Sequence, residues 1–425
     1  MSEPVRFGTD GIRGLAGQWP ITPAVGAALG ACVPKLGLRV VVGRDTRPSS
    51  SSLAHAVLST IGPAGGVALD AGVVPTPAIG IALAAGLADV GVMITASHNP
   101  AADNGFKVMG QGGRKLSDDD VERLERWLAL VDEPPRGGEA RDVRGDVIDA
   151  WVHCATTALP GLPSRRLVVD LAHGAATALV EPLRALWPGE MIIVGGGDGV
   201  VNDGVGSEHL AYLADAVRRH HADAGLAVDG DGDRCRLVDE RGDVIDGDAV
   251  AWLLARGRGA RGLAVTVMST GSLEAQLPGV RVVRTAVGDK HVAEAMRREG
   301  LEIGAEESGH VLFHDIPAGD GLIAGLRALS IGLRSGALSD ATGGFTRLPR
   351  RQGKLRVRER PPLGEIDGLA DLLAVVEPTL GVGGRVFLRY SGTEPVLRIL
   401  VEGRSKADVD DTFQAVEALL RRVLG

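Results

Sequence analysis

Apolar residues run along this chain in short blocks, each stopped by glycine or charged residues. Leu38-Arg-Val-Val-Val-Gly-Arg-Asp45, residues 67–70 and Val90-Gly-Val-Met-Ile94 read as buried strands, while 53–61 and 76–85 carry helical spacing. Strands alternating with helices predict an α/β sheet with crossover helices. The same rhythm returns twice. A helix at 151–158 and a strand at 166–170 open a second α/β unit, and a helix at 249–255 with a strand at 263–268 opens a third. The last stretch breaks the rhythm: a helix at 369–376, strands at 385–388 and 396–401, and a helix at 407–423 capped by Ser405 read as a smaller α+β unit.

Glu133-Pro-Pro-Arg-Gly-Gly138 is the clearest linker signal in the first half, and the basic stretch 347–360 followed by Pro361-Pro362 marks another boundary. At 425 residues the chain is too long for one core. The expectation is four domains, at 1–136, 145–242, 243–345 and 353–425.

Composition narrows the function more than the fold. With 46 Lys+Arg against 54 Asp+Glu, a net charge of -8 argues against a nucleic-acid binder working through a basic field, and 3% aromatic residues offer little to stack bases on. No apolar run reaches membrane-spanning length, because 79–94 is broken by Gly80, Gly86, Asp89 and Gly91. The N-terminal residues show no secretory pattern. Cys32, Cys154 and Cys235 lack metal-type spacing and fit free thiols in a reducing compartment, so the expected location is cytoplasmic.

Four stretches carry chemistry. Thr95-Ala-Ser-His-Asn-Pro100 follows the strand 90–94, which puts Ser97 at a carboxyl strand end, where α/β sheets bind ligands. A serine there is a candidate nucleophile only if a base, metal or cation activates it. Asp229-Gly-Asp-Gly-Asp-Arg234 crowds three carboxylates into five residues. Two carboxylates ~4 Å apart repel by roughly 4 kcal/mol at an effective dielectric near 20, so three that converge need a cation. Oxygen-only ligands suit magnesium. An EF-hand loop fits Asp229, Asp231, Asp233 and Glu240, but Arg234 stands where its turn needs glycine. The bland reading, a solvated acidic turn with splayed carboxylates, stays open on this stretch alone.

In Gly304-Ala-Glu-Glu-Ser-Gly-His310, alternation along an extended segment would face Glu306, Ser308 and His310 to one ligand, with groups suited to sugar hydroxyls and proton transfer. Arg389-Tyr-Ser-Gly-Thr-Glu-Pro395 with Arg398 has the composition of a phosphate cradle. Phe7-Gly-Thr-Asp-Gly-Ile-Arg-Gly14 surrounds Arg13 with glycines, Asp103-Asn-Gly-Phe-Lys107 offers a turn and a lysine, and Gly288-Asp-Lys-His291 adds Lys290. Ser117-Asp-Asp-Asp reads as a capped helix start, and His209, His220 and His221 lack ligand spacing and read as surface or capping residues.

Taken together, FGTDGIRG, TASHNP, DGDGDR, the SGH loop and RYSGTEP resemble, in order and interval, the α-D-phosphohexomutase superfamily, and within it the bacterial phosphoglucosamine mutases. The resemblance implies three similar mixed-sheet α/β domains and a smaller α+β C-terminal domain around a central cleft. It implies a phosphoserine at Ser97, Mg2+ held by Asp229, Asp231 and Asp233 with the Ser97 phosphoryl, and Arg13, Lys107 and His310 in charge stabilisation and proton transfer. Glu306, Ser308 and Lys290 would bind the sugar, and Arg389, Ser391, Gly392, Thr393 and Arg398 the phosphate that is not reacting. The implied reaction interconverts glucosamine 6-phosphate and glucosamine 1-phosphate through a bisphosphorylated sugar, with a hexose bisphosphate as activator. The expected partner is a hexose or hexosamine phosphate, with no nucleic acid or membrane, and a homodimer is open. Ala305, Glu307 and Tyr390 depart from the usual GGEQSGH and RPSGTEP patterns and leave a neutral-hexose mutase as the alternative. A non-catalytic sugar-phosphate-binding homologue and a simple phosphatase are the further readings.

Overall fold

A computed structural model describes residues 4–8, 10–334, 336–391 and 395–425. The chain divides into two compact units, one of residues 1–267 and 283–342, the other of 268–282 and 343–425.

In the first unit, a six-stranded mixed sheet runs in the order Ile12–Leu15, Asp103–Met109, Val90–Ile94, Arg39–Arg44, Val67–Val73, Arg141–Asp142. Val90–Ile94 sits inside it, parallel to Arg39–Arg44 on one side and antiparallel to Asp103–Met109 on the other. All five of its residues are buried, which explains the unbroken apolar run. The sheet takes its last strand, Arg141–Asp142, from beyond the Pro/Gly linker. The helices Pro23–Cys32 and Ser50–Ile61 pack on this sheet, around a core that includes Ile21, Leu29, Val57, Ile94 and Phe106.

A second, five-stranded sheet is ordered Val244–Ile245, Cys235–Asp239, Ala224–Val228, Leu167–Asp170, Met191–Val194. Its middle strand, Ala224–Val228, is again wholly buried and leads straight to Asp229. A third sheet sets Gly262–Thr266 parallel to Ile303–Ala305, which pairs antiparallel with Val311–Phe313. Ile303–Ala305 is buried too and leads to Glu306. The repeated α/β rhythm thus delivers three polar loops, each from the carboxyl end of a buried strand.

The second unit is built on a three-stranded antiparallel sheet ordered Arg350–Arg356, Val396–Glu402, Arg385–Tyr390. The helix Lys406–Leu424 closes it, capped by Ser405, whose hydroxyl accepts from the Asp408 N–H at 3.1 Å. Val409, Phe413, Val416 and Leu420 from that helix meet Leu397, Ile399 and Val401 from the sheet. This is the α+β arrangement read from the last 75 or so residues.

Boundaries moved by a few residues where packing extended an element. The helix expected at 151–158 begins about two turns earlier, as Arg144–Ala158. One expectation is corrected: 304–310 is not one extended segment. The strand stops at Ala305, and the chain folds into a tight turn in which the Glu306 N–H donates to the His310 carbonyl at 2.9 Å and the Gly309 N–H to the Glu306 carbonyl at 2.9 Å. Gly309, at φ 94, takes the left-handed corner that a side chain would resist. Glu306 and His310 therefore flank a turn instead of alternating along a strand.

The thiols Cys32, Cys154 and Cys235 are free, and burial pushes Cys32 up to about 11 and Cys235 up to about 12. Among the described residues no helix is long and apolar enough to cross a membrane.

Candidate active site

The loops that follow the buried strands Val90–Ile94 and Ala224–Val228 meet. Ser97 donates its hydroxyl to Asp229 Oδ2 at 2.6 Å, across 132 positions of sequence. Its backbone has φ 54, a left-handed conformation that costs a residue with a side chain ~1–2 kcal/mol. Such strain persists only where the surroundings impose it. His98 Nδ1 lies 3.3 Å from the same hydroxyl. Burial, with Arg234 and Arg13 nearby, takes the His98 ring down to about 4, so it stays neutral at pH 7.

Asp229, Asp231 and Asp233 converge with one oxygen each, the three lying within 4.8 Å of one another, and all three residues are buried. Burial, then the charges of Asp233 and Asp231, push Asp229 up to about 8. Asp229 Oδ1 accepts from the N–H groups of Asp233 and Arg234, each at 3.2 Å. By contrast Asp231 Oδ1 and Asp233 Oδ1 are buried without a hydrogen-bond donor. Asp231 Oδ1 has no facing donor among the described residues and Asp233 Oδ1 meets the His310 ring only at 3.6 Å, and two such oxygens in an all-oxygen cluster fit a hard divalent cation. The acidic turn is not splayed into solvent.

Cations border the cluster. Lys107 Nζ sits 2.7 Å from Asp231 Oδ2, 3.0 Å from Asp233 Oδ2 and 3.3 Å from Asp10 Oδ2. Its burial opposes the charge, but Asp10, Asp231 and Asp233 outweigh that and hold the ammonium well above its ordinary range. His310 has Nδ1 3.6 Å from Asp233 Oδ1 and Nε2 3.7 Å from Asp289 Oδ2. Burial works against the charged ring, yet Asp233, Asp289 and Glu306 lift it to about 9, so it is an imidazolium at pH 7. In turn Asp233 stays well below the carboxylate range despite burial, because Lys107, His310 and Arg234 face it.

A cavity of about 440 Å³ opens beside these groups and is bordered by Arg13, Asp233, Arg234, Glu306, Ser308 and His310, with Asp10 and Asp289. Burial raises the Glu306 carboxyl above its ordinary value even though His310 is near. Arg13 pairs with Asp10, and its buried Nε has no acceptor. The structure therefore brings Ser97, Arg13, Lys107, Asp229, Asp231, Asp233, Glu306, Ser308 and His310 into one neighbourhood. Lys290 places its ammonium on Asp118 and lines a neighbouring cavity that Lys107, Asp233 and His310 also border.

Arg389, Ser391 and Arg398 belong to the second unit, while Gly392 and Thr393 lie outside the described residues. Arg389 faces Arg398 in register across the sheet, and Lys354 faces Arg398 from the other side. All three are exposed. The register thus sets three cationic side chains side by side on this sheet. Ser391 is buried, its N–H donating to the Val396 carbonyl at 2.9 Å.

Several partners were not singled out from sequence. Asp10 holds Lys107, Lys115 and Arg13 together, and Lys115 Nζ bridges Asp10 Oδ1 at 2.8 Å to Asp289 Oδ1 at 2.5 Å. Thr76 donates its hydroxyl to Asp231 Oδ2 at 2.5 Å. The Asp10 signal lay inside the FGTDGIRG stretch, whereas Thr76 and Lys115 have none, since their spacing from the acidic turn is set only by the fold.

Comparison with known proteins gives the arrangement its relatives. Residues 4–133, 152–242 and 246–347 match the phosphoglucomutase/phosphomannomutase alpha/beta/alpha domains I, II and III, and 354–419 match the C-terminal domain. The phosphoglucosamine mutase of Frankia alni is 40% identical over 98% of this chain and 98% of its own length. That of Symbiobacterium thermophilum is 40% identical over 99% of this chain and 100% of its own. Among solved structures, a phosphoglucomutase/phosphomannomutase family protein from Burkholderia thailandensis superposes with a TM-score of 0.79 at 25% identity, covering 98% of this chain and 97% of that one. The fold extends to the N-acetylphosphoglucosamine mutase of Aspergillus fumigatus, with a TM-score of 0.66 at 18% identity. Four matched domains in order, and relatives alike over nearly the whole length, establish that the chain belongs to the phosphoglucomutase/phosphomannomutase family.

Proposed function

We propose that this protein is a phosphoglucosamine mutase that moves a phosphoryl group between Ser97 and glucosamine phosphates, interconverting the 6- and 1-phosphates. The observation that carries the proposal is the Ser97 hydroxyl at 2.6 Å from Asp229, inside a buried three-carboxylate cluster bordered by fixed cations. Full-length relatives named phosphoglucosamine mutase support the amino-sugar assignment.

Phosphoryl transfer needs positioning and charge stabilisation more than covalent assistance. In the forward half-reaction a sugar hydroxyl oxygen forms a bond to the Ser97 phosphorus as the bond from phosphorus to Ser97 Oγ breaks. The sugar then carries two phosphates. In the second half the other phosphorus bonds to Oγ as its bond to the sugar oxygen breaks, and the proton that passed from the first sugar hydroxyl to Oγ ends on the sugar oxygen so released. Mg2+ held by Asp229, Asp231 and Asp233, with an oxygen of the Ser97 phosphoryl group, would neutralise charge on the moving group. Lys107 and His310, both kept cationic by their carboxylate neighbours, oppose the remaining negative charge. Arg13 presents a buried Nε with no acceptor of its own, available to a phosphate oxygen. Glu306 and Ser308 line the same cavity and suit sugar hydroxyls. Arg389, Ser391, Gly392, Thr393 and Arg398 are assigned to the phosphate that is not reacting, with Lys354 in register beside Arg398.

Turnover of glucosamine, glucose and mannose 6-phosphates, each with Mg2+ and a hexose 1,6-bisphosphate activator, tests the proposal. Preference for glucosamine 6-phosphate is expected. Preference for a neutral hexose would replace the substrate, and steady release of inorganic phosphate without isomer would replace the reaction.

A further inference from the structure

Beneath the Ser97 loop, two side chains outside the proposed chemistry grip the backbone. Arg47, 2% exposed, donates Nη2 to the carbonyls of Ser97 at 2.7 Å and Asn99 at 2.8 Å. Its Nη1 reaches the carbonyls of Pro100 and, at 2.9 Å, Asp103. Asn202 Nδ2, from the second sheet's side, donates to the same Ser97 and Asn99 carbonyls at 2.8 and 3.0 Å. Each of those two carbonyls thus has both lone pairs engaged. The Ser97 N–H donates to Thr95 Oγ1 at 2.9 Å, and the Thr95 hydroxyl donates to Asp45 Oδ2 at 2.7 Å. Asp45 is in turn locked to Arg47 Nε at 2.8 Å. No backbone polar group of Ser97 is left to turn.

We infer that Arg47 and Asn202 are positioning residues that hold Ser97 at φ 54, so that Oγ and the phosphoryl group on it keep one direction through both half-reactions. The need follows from the chemistry: one phosphate leaves Oγ and the sugar's other phosphate must be taken up by it, while the charge on that oxygen changes and the surrounding cations pull differently. A loop free to relax to negative φ would swing the Cα–Cβ bond and carry Oγ away from Asp229. Asn202 is itself well anchored. Its N–H donates to the Ala172 carbonyl at 3.0 Å, and His173 Nδ1 fastens the preceding loop by accepting from the Gly197 and Gly199 N–H groups at 3.2 and 3.1 Å. The clamp therefore ties the strand end that presents Ser97 to the end of Leu167–Asp170, the strand parallel to the one that presents Asp229.

This inference rests on the Ser97 reading, and the test separates the two. Asn202 has φ 60, which glycine accepts and aspartate tolerates. Asn202→Gly deletes the donor, and Asn202→Asp keeps the shape while turning an acceptor toward two carbonyls. With glucosamine 6-phosphate, Mg2+ and hexose bisphosphate, kcat is expected to fall about 10- to 100-fold, more for the aspartate, as misplacement of a reacting group by about 1 Å would do. KM is expected to stay within about 2-fold, because neither residue lines the cavity beside the acidic cluster. A merely structural role would lower the active fraction and the melting temperature, but not single-turnover transfer from bisphosphate to Ser97 per folded molecule. If Asn202→Asp fails to fold, Asn202→Gly carries the comparison. Unchanged kcat and transfer rate in variants of an active wild type overturn the clamp, whereas a wild type that never labels Ser97 overturns the functional reading and the clamp with it.

Discussion

Metal binding by this protein should release a proton, with a pH dependence set by Asp229. The unfolded chain ionises this carboxyl near 3.8, but in the metal-free fold burial and two neighbouring aspartates hold its proton up to about 8. A raised carboxyl disfavours the folded state as pH climbs. The Asp229 contribution to stability is full below the unfolded value and is lost by ~1.4 kcal/mol per pH unit until the folded value is passed. A divalent cation needs the ionised form, so binding displaces that proton. From this group alone, binding releases about 0.9 proton at pH 7 and about 0.5 at pH 8. Apparent affinity for Mg2+ should rise about tenfold per pH unit from 6 to 7.5 and level above 8. Lys107 does not titrate in that window, and His310 does so mainly above it. Titration calorimetry in two buffers of different ionisation enthalpy counts the protons, and Mg2+-dependent melting follows the affinity. An affinity flat from pH 6 to 8, or no proton release at pH 7, would refute the reasoning.

Other expectations are shorter. His310 is raised to about 9 by its acidic neighbours, so its stabilising contribution is whole below its ordinary 6.5 and is lost as pH rises through 9. Its size is about 3 kcal/mol, and His310→Asn should flatten the fall in denaturation midpoint between pH 6.5 and 9. A methyl group on Gly174 would stand 2.3 Å from the Gly230 carbonyl oxygen, with no flexible side chain to yield. Gly174→Ala should cost about 1–3 kcal/mol by thermal melting and weaken Mg2+ binding, since Gly230 lies between Asp229 and Asp231. In the second unit, buried Glu402 pairs with Arg385 Nη2 at 2.8 Å and also accepts from the Gly271 N–H. Glu402→Leu should destabilise that unit by about 3–5 kcal/mol by leaving the arginine's charge half-buried and unpaired, read from the denaturant midpoint of its own transition.

The strand ends were legible because the apolar runs that lead into Ser97 and Asp229 are short, buried and stopped by polar residues. The helix Leu369–Val376 and the Ser117 and Ser405 caps were legible for the same local reason. Crowding of Asp229, Asp231 and Asp233 implied a cation from electrostatics alone, and the buried Asp231 Oδ1 without a donor agrees. The turn at 306–310 was misread because a glycine after a polar run also fits an edge strand, and only the hydrogen bonds from Glu306 and Gly309 separate the two. Arg47 and Asn202 were not recognisable as partners of Ser97. Arg47 lies two residues past the strand that ends at Asp45 and Asn202 lies in a glycine-rich stretch, and their targets are carbonyls, which no residue pattern displays. Long-range pairs such as Thr76 with Asp231 leave no trace in spacing.

The most direct measurement is phosphate mapping by mass spectrometry through one catalytic cycle. After incubation with hexose 1,6-bisphosphate and Mg2+, the protein should carry a single phosphoryl group, on Ser97, and glucosamine 6-phosphate should then remove it as glucosamine bisphosphate. Sustained isomerisation by Ser97→Ala, or a phosphoryl group that cycles on any other residue, would contradict the account.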